Sequence, residues 1–523
     1  MIRQEIIKLI KQAAKDAGFT VPQILKIDCP EDKSHGDYAT SFALQMAKNT
    51  KLAPKDVAHN LKSHILNLKP SLFEKIEVVE PGFINFFLSK EYLQKQVGEI
   101  LKQKESFGQL IVGKNRKVQV EFISANPTGP LTVGNARGGP FGDVLSRVLE
   151  KAGFKVEKAY YINDYGMQIL TLGHSVLKDK EAKYQGDYID YLNKKIKEKN
   201  PYKTGEIAAK IIIKEMIKKT TDKMGIKYNE WFSENSLHKS GEVDKALKIL
   251  EKKGLIYKKA GAQWFKSSKY GDERDRVVVK ADGWKTYLAG DIAYHRYKFE
   301  KKKFDKVIDI WGADHYGDVP GLKAAVTALS HKDKLDFILL QFVTIIEKGK
   351  GLKMSKRSGV YVTMDELLKI AGIDAVRFFF LQKSADSHLH FDLSLAKTQS
   401  EKNPVYYVQY AHARICSILN KAPKYKIQNT KYEILNHPSE LALIKQLIRF
   451  PETIEDIAKD YQVQRLPQYA MDLATVFHQF YRDCRVLTES RSLRDSRLAL
   501  VLATKTVLKN TLSLMGISAT EKM

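Results

Sequence analysis

The spacing of apolar and polar residues changes along the chain, and its first section predicts a small mixed domain. Apolar residues recur at helical spacing from Ile2 to Ala13. A second helix is predicted over residues 39–48. Residues 76–79 and 83–88 read as two strands joined by the turn Glu80-Pro81-Gly82. Residues 1–105 therefore predict an α+β domain.

The pattern changes at Lys117, where a nucleotide-binding type of unit is predicted. Val118, Val120 and Phe122 alternate with polar neighbours as in a strand, and a Gly- and Pro-rich loop follows. Apolar residues then recur at helical spacing over residues 141–149, and residues 155–162 read as a second strand. Strand, loop, helix and strand in this order form a βαβ unit, which predicts a parallel sheet.

The remaining residues predict the second half of the sheet and a helical domain. Residues 170–275 are rich in lysine and read as a helical insertion. Short strands are predicted at 276–280, 286–289 and 306–311, alternating with helices, as in a doubly wound sheet. From residue 390 to 523 only helices are predicted. The predicted fold is α/β: a doubly wound, Rossmann-type parallel domain over 106–389, with the α+β domain before it and an all-α domain after it.

Charge and composition narrow the class of partner. Lys and Arg total 87 against 61 Asp and Glu, a formal net charge of +26, while 43% of the residues are hydrophobic. The hydrophobic share excludes a disordered chain, and the charge predicts a polyanionic partner, with nucleic acid before an anionic membrane. A lysine-rich surface that only maintains solubility would give the same excess. The three cysteines form no CxxC pair, and we expect a soluble, cytoplasmic protein without a structural metal.

Two loops carry candidate chemistry. The first, SANPTGPLTVGN, ends at a predicted helix N-terminus, where free N–H groups attract phosphate. It matches neither the dinucleotide motif nor the Walker A motif, and a glycine-rich turn required only for packing remains an alternative. The second, residues 350–359, places four basic residues within eight positions, which suits a triphosphate. A solvated basic loop is the alternative there.

Together the two loops resemble the signatures of class I aminoacyl-tRNA synthetases, as Thr132-Val133-Gly134-Asn135 and Lys353-Met354-Ser355-Lys356. Further segments resemble the arginyl-tRNA synthetases in particular, and they run in order from the N-terminus to the end of the chain. They include HGDYATSFALQMAK, VEFISANPTGPLTVGNARGG, YYINDYGMQI, TYLAGDIAYH, WGADHYGDV and NPVYYVQYAHARICSIL.

The resemblance implies an arginine–tRNA ligase that uses ATP with Mg²⁺ as substrate, and it assigns residues to roles. The implied catalytic residues are Thr132, Gly134, Asn135, Lys353, Ser355 and Lys356. The implied arginine-binding residues are Glu121, Ser124, Asn126, Tyr287, Asp291, Asp314 and His315. Because a buried carboxylate is costly unless it is paired, we expect the arginine substrate to supply the cation for Glu121 and Asp291.

The C-terminal helices interleave aromatic and basic residues, which suits stacking on unpaired anticodon bases. The implied tRNA-binding residues are Tyr406, Tyr410, Arg414, Phe480 and Arg485. Most rings at helical spacing lie in a core, so packing is the alternative role. The resemblance also implies that residues 1–105 bind the tRNA elbow, that the partner is tRNA(Arg), and that the protein is a monomer.

One departure from the family keeps other hypotheses open. Both histidines of the first signature are replaced, by Thr132 and Asn135, which donate hydrogen bonds but cannot become cationic. The departure motivates the alternative of a catalytically reduced tRNA-binding paralogue. A class I synthetase for another amino acid is a further alternative, and it requires a pocket in which Glu121 and Asp291 do not face a cation.

Overall fold

The computed structural model describes residues 1–21, 25–351, 363–422 and 430–523. Its N-terminal part contains an antiparallel sheet of three strands in the order β1-β3-β2, packed against helices. The elements are α1 (Ile2–Asp16), β1 (Tyr38–Thr40), α2 (Phe42–Ala47), α3 (Pro54–Leu68), β2 (Phe73–Val79), β3 (Phe83–Leu88) and α4 (Lys90–Gln103). The predicted α+β architecture of this part is confirmed.

One element of this part differs from the prediction. The helix predicted over residues 39–48 begins only at Phe42, because Tyr38–Thr40 forms an edge strand that pairs with Ile84, Asn85 and Phe86 of β3. A three-residue strand is too short to show a period of its own, so the helical pattern that follows it masks it in the sequence.

The central part carries the sheet that positions the candidate site. Its elements are β4 (Lys117–Glu121), α5 (Val133–Ala136), α6 (Gly138–Lys151), β5 (Lys155–Ile162), α7 (Met167–Leu177), α8 (Asp187–Lys195), α9 (Pro201–Ile212), α10 (Lys218–Lys223), β6 (Glu230–Ser233), α11 (Glu234–Lys239), α12 (Glu242–Lys252), β7 (Ile256–Lys259), β8 (Ala262–Phe265), β9 (Arg276–Val279), α13 (Tyr287–Arg296), β10 (Lys306–Gly312), α14 (Val319–Ala328), β11 (Leu335–Leu340), β12 (Val343–Glu347), β13 (Lys350–Gly351), α15 (Met364–Ala371), α16 (Ile373–Leu381) and β14 (Leu389–Asp392).

Five of these strands form one parallel sheet in the order β11-β10-β4-β5-β6. The chain runs outward from β4 to β5 and β6, and it then returns to the other side of β4 as β10 and β11. The direction of winding therefore reverses between β4 and β10, and open parallel sheets bind ligands at the carboxyl ends of the strands at such a point. The predicted doubly wound sheet is confirmed.

The structure differs from the prediction at three places in this part. Residues 286–289 begin helix α13 rather than forming a strand. The strand at Arg276–Val279 belongs to a separate antiparallel sheet, β7-β8-β9, rather than to the parallel sheet. The lysine-rich stretch over 170–275 is not only helical, since it supplies β6 to the parallel sheet. A segment as short as residues 286–289 fits a strand and a helix equally well, so periodicity cannot separate the two.

The described residues from Leu393 to the end of the chain contain helices and no strand, as predicted, but strand β14 (Leu389–Asp392) runs past the predicted boundary at residue 390. The helices of this last part are α17 (Leu393–Ala396), α18 (Pro404–Lys421), α19 (Pro438–Ile448), α20 (Phe450–Asp460), α21 (Arg465–Asp483) and α22 (Arg491–Met515). Helix α22 is long and apolar enough to cross a membrane by length and composition, but 67% of its apolar window is buried inside the protein. It is the central helix of this domain's core.

Charged side chains join this helical part to the other two. Arg3 of α1 donates to the carboxylates of Glu455 and Asp456 on α20 at 2.9 and 3.0 Å. Arg377 of α16 donates to Asp143 of α6 at 2.6 Å and to the carbonyl of Met515, at the end of α22, at 2.7 Å. Both arginines are largely buried, so these contacts fix the helical part against its neighbours.

Candidate active site

A cavity of about 730 Å³ opens at the carboxyl ends of β4 and β10, where the winding of the sheet reverses. It brings together predicted site residues that are up to 194 positions apart in the sequence, from Glu121 to His315. Ten predicted site residues line it: Glu121, Ser124, Asn126, Thr132, Gly134, Asn135, Tyr287, Asp291, Asp314 and His315. The other three predicted catalytic residues, Lys353, Ser355 and Lys356, lie outside the described residues.

The chain turns sharply where β4 enters the cavity. Ile123 and Ser124 take positive φ values of 68° and 38°, which are uncommon for residues other than glycine. The Ser124 hydroxyl donates to Oε1 of Glu121 at 3.1 Å and accepts the amide of Tyr161 at 3.0 Å. These bonds hold the turn and the Glu121 carboxylate in one arrangement.

Helix α6 packs unusually closely on β4 behind this turn. A Cβ atom added at Gly142 would lie 2.2 Å from Cγ of Phe122, so only glycine fits there. At Gly134 the nearest atom to an added Cβ would be Oγ1 of Thr132, 4.0 Å away. The packing of the protein therefore does not require glycine at Gly134, and the space beside it belongs to the cavity.

The first signature loop is tied to the residues that follow the second. Thr132 caps α5: its hydroxyl accepts the amide of Asn135 at 3.3 Å and donates to Oδ1 of the same residue at 2.7 Å. Thr132 also forms a bridge with Thr363, and the amide of Met364 donates to the carbonyl of Leu131 at 2.8 Å. Thr363 and Met364 are the first described residues after the range 352–362, and these contacts hold the two of them beside the first signature.

A cation that the sequence did not predict lies behind the lining of the cavity. Nζ of Lys298 lies 2.7 Å from Oε2 of Glu121 and 3.0 Å from Oδ1 of Asp309, and its side chain is fully buried. His295 contacts the other oxygen of Asp309 at 2.8 Å. The expectation that the substrate supplies the cation for Glu121 is therefore wrong, because Lys298 already pairs with it.

Burial and charge act on this cluster in opposite directions. Burial raises the pKa of Glu121, and Lys298 only partly offsets the shift. Burial alone would also raise the pKa of Asp309, but the neighbouring charges of Lys298 and His295 hold it at about 2. For Lys298, burial lowers the pKa and the carboxylates of Asp309 and Glu121 raise it, with a net rise. The pair formed by Lys298 and Asp309 is therefore stable in its ionised form.

The environment of Asp291, on α13, contrasts with that of Glu121 and Asp309. No side chain in the described part of the chain donates a hydrogen bond to its carboxylate. Burial raises the pKa of Asp291 well above its ordinary range, and the charges of Glu234, Glu121 and Asp309 raise it further. Such a group gains most from a cationic ligand, because a cation removes both the desolvation cost and the repulsion.

The other predicted arginine-binding residues lie at the mouth of the cavity. Tyr287 is 60% exposed and precedes Asp291 by one helical turn on α13. Asp314 and His315 follow β10 and are also exposed. Asn126 is exposed on the loop after β4. Their exposure leaves them accessible to a ligand that enters the cavity.

Sequence reasoning missed Lys298, His295, Asp309 and Glu234, for different reasons. Asp309 has a recognisable signal, since it is a lone carboxylate in the apolar strand Val307–Trp311. Lys298 has none, because it is one of 87 basic residues and lies in a lysine-rich stretch. Glu234 opens α11, and its carboxylate is buried beside Gly290 of α13.

A second cavity of about 840 Å³ lies in the helical part, between the end of α18 and the end of α21. Tyr410, Arg414 and Arg485 line it, together with Tyr481. The Arg414 guanidinium lies 4.8 Å from the ring centre of Tyr410 and 5.0 Å from that of Tyr481. Aromatic and cationic groups therefore meet at one accessible surface.

Two predicted tRNA-binding residues lie outside this cavity. The ring of Tyr406 is half-buried and stacks on that of Tyr410, with centres 6.3 Å apart and planes 7° apart. Phe480 is fully buried in the core of the helical part. Its ring cannot reach a base while the domain is folded, so the prediction for Phe480 is wrong, and its helical spacing reflects packing.

Family models match nearly the whole chain. The arginyl tRNA synthetase N-terminal domain matches residues 4–88, and the DALR anticodon binding domain matches residues 408–523. The class I tRNA synthetase (R) catalytic domain matches residues 96–210 and 178–380. Together with the parallel sheet and the signature loop at its switch point, these matches define a class I aminoacyl-tRNA synthetase.

Individual relatives specify the family. The chain is 42% identical to an arginine–tRNA ligase from Caldanaerobacter subterraneus subsp. tengcongensis, with 100% of this chain and 98% of that protein aligned. It is 41% identical to arginine–tRNA ligase 1 from Halalkalibacterium halodurans, with the same coverage. The chain belongs to the arginyl-tRNA synthetase family.

Solved structures agree in fold. The Thermus thermophilus arginyl-tRNA synthetase superposes with a TM-score of 0.81 at 24% identity, over 100% of both chains. The Plasmodium falciparum arginyl-tRNA synthetase superposes with a TM-score of 0.79 at 20% identity, over 100% of this chain and 99% of that one. The three-part architecture is thus shared at low sequence identity.

Proposed function

We infer that the protein is an arginine–tRNA ligase, which activates L-arginine with ATP and transfers it to the 3′ end of tRNA(Arg). The observation that carries this conclusion is one cavity whose lining combines two chemically different sets of residues. Asp291 and Glu121 contribute carboxylates, and Thr132, Gly134 and Asn135 lie at the N-terminus of a helix. The first set suits a guanidinium group and the second suits phosphates.

This arrangement supports activation by positioning and by charge stabilisation. With the guanidinium on Asp291 and the α-amino group near Asn126 and Ser124, the arginine carboxylate would face the α-phosphate of ATP. In-line attack would give arginyl-adenylate and pyrophosphate, and the terminal ribose hydroxyl of the tRNA would then attack the adenylate carbonyl. Neither step needs a covalent enzyme intermediate. Tyr287, Asp314 and His315 would border the bound arginine.

The triphosphate would be held by both signatures. The open space beside Gly134 admits a phosphate to the backbone of α5, and Thr132 and Asn135 would donate hydrogen bonds. Lys353, Ser355 and Lys356 would neutralise the charge that develops on the pyrophosphate. Mg²⁺ would arrive with the triphosphate, since no group of three or more His, Cys, Asp or Glu side chains in the described ranges could hold a metal ion.

The basic residues that do not contact arginine or ATP would serve tRNA binding. We propose that residues 390–523 read the anticodon, with Tyr410, Arg414 and Arg485 at the second cavity and Tyr406 stacked on Tyr410 beside it, and that residues 1–105 bind the tRNA elbow. Residues 106–389 would form the catalytic domain. The excess of basic residues would then act as a distributed RNA-binding surface. We further propose a cytoplasmic monomer that does not bind membranes.

ATP–pyrophosphate exchange tests this function directly. We expect exchange that requires both L-arginine and tRNA(Arg), because the family resemblance implies that adenylate formation depends on bound tRNA. Exchange with another amino acid and not with arginine would identify a different class I synthetase. No exchange with any amino acid, combined with tRNA binding in a filter assay, would identify a catalytically reduced paralogue.

We predict that Thr132→Val lowers the rate of arginine-dependent exchange about tenfold. The substitution keeps the shape of the side chain but removes the hydroxyl that caps α5 and fixes Asn135, and losing such a cap costs about 0.5–2 kcal/mol. Thr132→Ser keeps both hydrogen bonds and is expected to retain most of the rate. A Thr132→Val enzyme as fast as the wild type would contradict the role of this hydroxyl.

We also predict that kcat/KM for arginine keeps rising with pH above the range in which an ordinary aspartate titrates, while KM for ATP changes less. The raised pKa of Asp291 keeps its carboxyl partly neutral at a pH where an ordinary aspartate is ionised. Arginine binds the ionised form, so its affinity is complete above the raised pKa and falls as the pH falls through it. A kcat/KM for arginine that is constant above the range in which an ordinary aspartate titrates would rule out a raised pKa.

A further inference from the structure

The cation behind the arginine end of the cavity has a position that family signatures do not describe. Lys298 lies in a π-helical segment, Tyr297–Lys301, that continues α13. The pocket-facing residues of α13, Tyr287 and Asp291, are followed on the same side by His295 and then by Lys298. One helical stripe therefore runs from the mouth of the cavity to its deep wall, and Lys298 ends it behind the cavity lining.

The register of the sheet explains why a cation is needed there. Asp309 of β10 pairs with Glu121 of β4 at the same level of two neighbouring parallel strands. Their side chains share a face, so two buried carboxylates would repel each other. Lys298 lies between them, and its Nζ is also 4.3 Å from the ring centre of Tyr294. The ammonium group of Lys298 is therefore enclosed by Glu121, Asp309 and Tyr294.

The lysine makes the two carboxylates that face the substrate unequal. Both oxygens of Glu121 are occupied, Oε2 by Lys298 and Oε1 by the Ser124 hydroxyl. Asp291 has no such donor among the described side chains. Glu121 is thus fixed and partly neutralised by its partners. The Asp291 carboxylate lacks such donors in the described part of the chain, so a cationic ligand would stabilise it more. The protein has already filled the place between Glu121 and Asp309 that a small primary ammonium group would occupy.

We propose that Lys298 is a positioning residue that selects arginine: it fixes Glu121 and fills the ammonium place, so that only a side chain that binds Asp291 is accepted. The proposal rests on the proposed function, and it adds a reason for rejecting lysine and ornithine. Their ammonium groups would meet an occupied, like-charged place at the deep wall. The planar guanidinium has five donors, so it can bind Asp291 with two bonds and still reach the Glu121 edge.

The test removes the lysine without leaving an unbalanced charge. Lys298→Met alone leaves two buried carboxylates without their cation and can prevent folding. Lys298→Met combined with Asp309→Asn removes one positive and one negative charge, so the cluster keeps its net charge and Glu121 loses only its anchor. For this double variant we expect KM for arginine to rise about 10- to 100-fold, with KM for ATP within about threefold of the wild type.

A matched control lies one turn further along the same segment. Lys302 pairs with Glu157 and Glu230 at 3.0 and 3.3 Å, outside the cavity. Lys302→Met therefore removes a comparable lysine without touching Glu121, and KM for arginine should stay at the wild-type value. Asp309→Asn alone separates the loss of the carboxylate from the loss of the lysine, because Lys298 keeps its bond to Glu121 there.

A second measurement addresses selection itself. Exchange with lysine and ornithine, relative to arginine, should increase at least about tenfold in the double variant, because the ammonium place is vacant. Ethylammonium added to a variant that combines Lys298→Ala with Asp309→Asn should fill the place beside Glu121 and lower KM for arginine towards the wild-type value, without effect on the wild type. General damage to the fold would produce neither result.

The outcomes separate this proposal from the function on which it rests. If the wild type shows no arginine-dependent exchange, the proposed function itself fails. If the wild type is active and the folded double variant keeps its KM for arginine and its rejection of lysine and ornithine, Lys298 does not select the substrate. A parallel rise in KM for arginine and ATP would also overturn the proposal.

Discussion

Asp291→Asn is expected to raise KM for arginine about 100-fold or more, while KM for ATP changes little. The substitution keeps the size of the side chain and removes the charge that would pair with the guanidinium. Truncating one partner of a buried, hydrogen-bonded charge pair costs about 2–5 kcal/mol, and every 1.4 kcal/mol is a factor of ten. In this cavity, Asp291 is the carboxylate that no described side chain neutralises.

Steady-state exchange with arginine and with ATP as the varied substrate measures the effect. The matched control is Asp244→Asn, the same change at an exposed carboxylate that pairs with Lys285 at 2.8 Å away from the cavity. The control should keep both KM values. The pH dependence of kcat/KM for arginine should also weaken in Asp291→Asn, because the group that titrates is gone. Equal increases in both KM values would show that Asp291 supports the general stability of the fold rather than arginine binding.

The second large effect is on stability. Asp143 of α6 is fully buried and accepts hydrogen bonds from Arg377, Lys158 and Arg147 at 2.6, 2.6 and 2.9 Å. Burial alone would raise its pKa, but the three cations lower it below its ordinary value. Asp143→Asn leaves the buried guanidinium of Arg377 without its anion, and breaking a buried pair in this way costs about 3–5 kcal/mol of unfolding free energy.

The loss should be visible in urea denaturation followed by circular dichroism. Because the pKa of Asp143 is lowered in the folded state, its contribution is complete above the pKa of an unfolded aspartate. The contribution disappears as the pH falls through the folded value, so the two proteins should converge in stability at acid pH. Asp190→Asn, which breaks an exposed pair with Lys178, is the control and should not measurably change stability. A wild-type denaturation midpoint for Asp143→Asn would show that this cluster does not stabilise the fold.

Long periodic segments were predictable because their local pattern is redundant. The helix predicted over residues 141–149 lies within α6, and β5 occupies the predicted range 155–162. Short segments were not predictable, because other parts of the chain decide them. Residues 286–289 have a local pattern that fits a strand, yet they begin the helix that carries Asp291. Tyr38–Thr40 becomes a strand only because β3 offers an edge for pairing.

The same distinction holds for the site. Residues within a signature, such as Thr132 and Gly134, could be located because their neighbours in the sequence identify them. Phe480 was assigned wrongly for the opposite reason, since an aromatic residue on a helix looks the same whether it faces a base or the core. The rotation of α21 against the other helices decides between the two, and it buries this ring.

The sequence by itself determined the class of enzyme, the parallel sheet and ten of the residues that line its cavity. Only the tertiary structure decided which charges meet. The pairing of Lys298 with Glu121 and Asp309 depends on the register of β4 against β10 and on the direction of α13, which no local pattern contains. A charge costs or gains several kcal/mol according to its burial and its partners, and both are properties of the folded chain. For that reason one lysine among 87 basic residues is distinguished by the fold alone.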